Sequence, residues 1–115
     1  MTLRLTPGVL RATYELLCET PPFDRWNLPD PDDLKFKISR NGREYGAVET
    51  CGPDVSLCVS DKTVGSWSTL LATVAHECIH LHQINTGLEL DHGPAFKKWA
   101  ALVCKHHRDF DPKNF

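Results

Sequence analysis

The stretch Leu70–Gln83, reading LLATVAHECIHLHQ, limits the possible folds of this chain more than any other. Leu70, Leu71, Val74, Ala75, Cys78, Ile79 and Leu81 are packed too densely for a surface helix, so a helix here must be largely buried. Within it His76, Glu77, Cys78, Ile79 and His80 spell H-E-x-x-H. Each residue turns about 100° around a helix axis, which stacks His76 and His80 on one face. Buried imidazoles are costly unless something pairs with them, and a metal ion is the partner this spacing suits. Glu77 projects about 100° from His76, so it can reach a water beside that metal without joining the ligands. A carboxylate there can take a proton and pass it on. A chance match would be a solvated polar stripe, and the apolar neighbours do not fit that description.

A catalytic zinc takes three protein ligands and leaves the fourth position to water. Downstream candidates for the third are Glu89, Asp91, His92, His106 and His107. His82 lies about 200° around the helix from His80 and cannot share its metal. His92 is favoured by its setting, after a helix stop at Gly87 and ahead of Pro94, which opens another helix. A chain reversal between Gly87 and Gly93 would return it to the metal. Asp91, next to it, is placed either to orient an imidazole from behind or to cap the coming helix.

From Leu70 to Trp99 the chain resembles the SprT-like (Spartan-type) metallopeptidase domain. That family carries H-E-x-x-H on one helix and a histidine in an H-G-x-x-F signature opening the next; this chain has AHECIH and HGPAF. The resemblance implies one catalytic zinc held by His76, His80 and His92, with Glu77 as general base. It also implies peptide-bond hydrolysis through a zinc-activated water, on a protein or peptide substrate bound in extended form along a strand edge. The metzincin pattern fits less well, because its further glycine and histidine fall on Gln83 and Thr86. Larger members add a zinc ribbon or DNA- and partner-binding segments. The short chain is similar instead to stand-alone versions found in phages and prophages. The alternative reading is a zinc-stabilised binding or regulatory module, DNA-associated and without hydrolysis; an intact Glu77 argues against it.

The rest of the 115 residues suits one domain, 1–115, with a single modest core. Thirteen basic and 15 acidic residues give a net charge of −2, which offers no general attraction to nucleic acid. No apolar run reaches the roughly 18 residues of a membrane span, and the first 20 residues do not read as a leader, so a cytoplasmic protein without a membrane partner is expected. The five cysteines are odd in number and lack a C-x-x-C pair, which suits free thiols.

Thr6 and Pro7 read as the start of a first helix running to about Glu19, and the proline- and aspartate-rich Thr20–Asp33 as a surface connection anchored by Phe23, Trp26 and Leu28. Leu34, Phe36 and Ile38 alternate as a strand, and Asn41-Gly42 then signals a hairpin to Arg43–Thr50. Val55, Leu57 and Val59 mark a third strand. The metal helix is expected from about Ser66 to Thr86, and a closing helix from about Pro94 to Lys105. The tail from His106 to Phe115 reads as either a frayed end or a wrap over the core. The expected fold is α+β, a minimal zincin: an N-terminal helix, a small three-stranded sheet, the metal helix and a closing helix. Tyr45 and Arg43 are the candidates for an oxyanion donor.

Overall fold

Each helix begins where the sequence prepares its first turn. In the computed structural model, which describes residues 3–111 and 115, α1 spans Pro7–Cys18 and the Thr6 hydroxyl accepts from the Val9 amide at 3.1 Å. Ser66 does the same for α2, Trp67–Asn85, accepting from Thr69 at 3.2 Å. Both satisfy an amide that the first turn leaves without a helical partner. At the far end of α2, Gly87 takes φ +75°, its amide donates to Ile84, and the Leu88 amide donates to Gln83. This left-handed cap ends the helix and reverses the chain. Pro94 then opens α3, Pro94–His106.

Three strands lie between α1 and α2: β1 (Leu34–Ser39), β2 (Gly46–Cys51) and β3 (Asp54–Ser60). The architecture is α+β, as expected. The strand order is not. The sheet runs β1-β3-β2, with β3 parallel to β1 and antiparallel to β2. Asn41-Gly42 therefore joins no hairpin. Asn41 Oδ1 instead accepts from the Arg43 amide at 2.9 Å, and the loop crosses the end of β3, where Ser60 Oγ donates to the Asn41 carbonyl at 2.7 Å. The tight turn lies at Cys51–Asp54, with Gly52 at φ +58°. The reason is burial. β3 is buried along most of its length, whereas β1 exposes Lys35 and Lys37 and β2 exposes Glu49 and Thr50. A strand covered on both sides belongs in the middle.

One sheet face presents Leu34, Phe36, Ile38, Val48, Leu57 and Val59 to the helices, in register across the strands. Leu10, Tyr14 and Leu17 of α1, Leu70, Val74, Cys78 and Ile79 of α2, and Phe96 and Val103 of α3 close this core. The connection after α1 is pinned as expected by buried Phe23 and Trp26, and the Tyr14 hydroxyl donates to the Pro29 carbonyl at 2.6 Å. His107 Nε2 donates to the Pro21 carbonyl at 2.8 Å, and its ring stacks on Phe110. This draws the segment after α3 back over the body of the protein; the part of the tail reading that falls on 112–114 lies outside the described residues. Among the described residues no helix is long and apolar enough to cross a membrane.

Candidate metal centre

α2 supplies His76 and His80 one turn apart, and the reversal at Gly87 lets the loop before α3 bring His92 to them. His92 Nε2 lies 3.1 Å from His76 Nε2 and 3.2 Å from His80 Nε2. Two imidazole nitrogens sharing a tetrahedral zinc at about 2.0–2.1 Å would stand roughly 3.3 Å apart. Two of the three pairs thus match the spacing one such ion sets, and all three donors lie within 4.8 Å of one another. Among the described residues they form the one cluster able to hold a metal. Glu89, Asp91, His106 and His107 are outside it. His82 points away, as its position on the helix requires: its ring lies between Trp26, stacked at 4.3 Å, and Trp99, edge-on at 4.4 Å. Its buried Nδ1 has no hydrogen-bond partner among the described residues.

The protonation states suit metal binding. Gln83 is fully buried one turn beyond His80, and its Oε1 accepts from His80 Nδ1 at 2.7 Å. Its amide nitrogen donates to the Asp91 carbonyl at 3.0 Å and to Asp91 Oδ1 at 3.3 Å, which settles which end of the amide faces the imidazole. His80 must therefore carry its proton on Nδ1 and aim a bare Nε2 at the cluster. Burial, reinforced by His80 and His92, lowers His76 to about 4, so its ring is neutral at physiological pH. Phe96, from the H-G-x-x-F block, floors the site, its ring 4.9, 4.9 and 4.7 Å from those of His76, His80 and His92.

Asp91 thus reaches an imidazole, though that of His80 through Gln83 rather than its neighbour His92. Its Oδ1 also accepts from the Gly93 amide at 3.1 Å, ahead of α3. Sequence reasoning missed Gln83. The available signal was a polar side chain three residues beyond a candidate ligand, on a largely apolar helix.

Glu77 is only 4% exposed. Burial first, and then the charge of Glu44, raise its carboxyl to about 8. Glu77 and His76 together line a cleft of about 1100 Å³ that also touches Tyr45, Gly46 and the segment after α3. Tyr45 is on its wall and Arg43 is not. Gly46 lets β2 approach: a Cβ there would lie 2.8 Å from the Cys58 carbonyl oxygen, 3.0 Å from Thr73 Cγ2 and 3.6 Å from Glu77 Cγ.

Residues 25–114 match the SprT-like family. The chain belongs to the SprT-like family. A search of the curated proteins finds no match. For this SprT-like chain, the matched range contains the whole cluster, Glu77 and both strands that border β3. It begins after α1.

Proposed function

We propose that this SprT-like chain is a zinc-dependent metallopeptidase that hydrolyses peptide bonds, with Glu77 as general base and His76, His80 and His92 as the metal ligands. One observation carries the reading: a buried carboxylate and a ligand imidazole open onto the same cleft, beside three converging imidazole nitrogens. Zinc held there would supply Lewis acidity, bringing a water's pKa towards about 7 and polarising the scissile carbonyl. Glu77 ionises more readily once a cation is nearby. Its carboxylate then takes the water's proton and delivers it to the leaving amine. Tyr45 is better placed than Arg43 to donate to the developing oxyanion, since it shares the cleft with Glu77.

The substrate would lie along an edge strand, pairing main chain to main chain. β3 is ruled out for this because β1 and β2 occupy both its edges. β2 is favoured: one edge is paired, and Gly46 at its start lines the cleft beside Glu77. The five cysteines are free, which suits a reducing compartment such as the cytoplasm. A structural zinc site would be closed by a fourth protein ligand; among the described residues the cluster has three.

The test is cleavage of denatured casein by zinc-equilibrated wild type and Glu77→Gln. Wild type should cut, and Glu77→Gln should keep its zinc while losing about 10²- to 10⁴-fold in rate, the usual contribution of a general base. Equal cleavage by both, or none by a fully zinc-loaded wild type, would overturn the proposal.

A further inference from the structure

We infer that the cleft beyond His76 is a subsite that selects a bulky apolar side chain of the polypeptide substrate, close to the bond that Glu77 serves. The inference rests on the peptidase reading and adds what the substrate must look like. Leu16 and Leu17 from α1, Leu71 and Ala72 from α2, and Phe110 and Phe115 from beyond α3 wall the cleft. At about 1100 Å³ it stands at the upper end of the roughly 300–1,000 Å³ range of ligand sites, with room for a bulky side chain and its neighbouring backbone.

Two of the large hydrophobics that the chain leaves in water, Leu16 at 59% and Tyr45 at 57% exposure, stand on this wall. Leu16 therefore contributes little to the core, and an exposed apolar wall of this kind marks a binding surface. The wall is continuous with the reactive groups. The Phe115 ring lies 5.8 Å from that of His76 and is stacked 5.6 Å from Phe110. Arg108, Asp109 and Asp111, the charged residues that line the cleft after α3, are all exposed to solvent, so the apolar wall does the selecting.

The experiment uses dye-labelled peptides that share an Ala-Gly frame and differ at one central position, occupied by Phe, Leu, Gly or Asp. Binding is read by fluorescence anisotropy on zinc-loaded Glu77→Gln, where no turnover intervenes, and cleavage by mass spectrometry on zinc-loaded wild type. The Phe and Leu peptides should bind about tenfold or more tightly than the Gly and Asp ones, the scale on which an apolar pocket discriminates. Leu16→Asp, added to the Glu77→Gln background, should remove most of that preference with zinc content and the circular dichroism spectrum unchanged. Equal binding of all four peptides by a chain whose wild type cuts casein would sink the subsite and leave the peptidase standing. A preference that is lost on Leu16→Asp in a protein that cuts nothing would do the reverse. Phe115→Ala provides a second check: a weaker preference supports the wall, whereas faster cleavage of all four peptides alike would make the ring a plug and contradict the inference.

Discussion

At Gln83 both ends of one amide are used, Oε1 on His80 and the nitrogen on Asp91, within a side chain that is 0% exposed. Gln83→Ala removes the group that holds the His80 tautomer and should weaken zinc affinity about 10- to 100-fold, the usual cost of losing such a partner. Competition with a chromophoric chelator measures it; unchanged affinity would mean that His80 is oriented by packing alone. A second residue-scale prediction concerns the metal-free protein. His76 is lowered from 6.5 to about 4, so its contribution is present above pH 6.5 and fades only as pH falls. Glu77 is raised from 4.5 to about 8, so between these values the folded state holds a proton that the unfolded state has released. Stability therefore falls as pH rises through that window, and above 6.5 Glu77 acts without the opposing imidazole. From pH 6.5 to 8 the loss should be about 2 kcal/mol, at about 1.4 kcal/mol per pH unit. Urea unfolding of EDTA-treated wild type should show this slope, and Glu77→Gln should lack it.

At the scale of elements, the helices were legible because their signals are local. Thr6, Pro7, Ser66, Gly87 and Pro94 all act within a turn of where they stand. His92 was legible for a related reason, since a helix stop and a helix start bracket a short reversal. The sheet was not, because Asn41-Gly42 is a strong local hairpin signal that a long-range pairing overrides. The clue lay in β3, whose alternate positions are Ser56, Cys58 and Ser60 where an exposed strand would carry charge. Gly46 was equally silent in sequence, and its role depends on how closely β2 meets α2. Gly46→Ala should cost about 1–3 kcal/mol by overpacking, since the new methyl meets backbone oxygen at Cys58. Denaturant unfolding would register this, and a neutral result would show that β2 can move away from α2.

For the molecule as a whole, the fold brings His76 and His80 of α2 together with His92 from the reversal before α3. Glu77 stands on the cleft beside them, and the segment after α3 completes the walls. None of this depends on whole-molecule charge, which at −2 is nearly balanced. The chemistry rests on whether the three imidazoles act as one centre. The most direct measurement is the zinc content of wild type and His92→Ala after equilibration with zinc and removal of excess, alongside a circular dichroism spectrum to show that both are folded. Wild type should retain about one zinc per chain, and His92→Ala should lose it while remaining folded. Stoichiometric zinc on a folded His92→Ala protein would contradict the three-histidine centre.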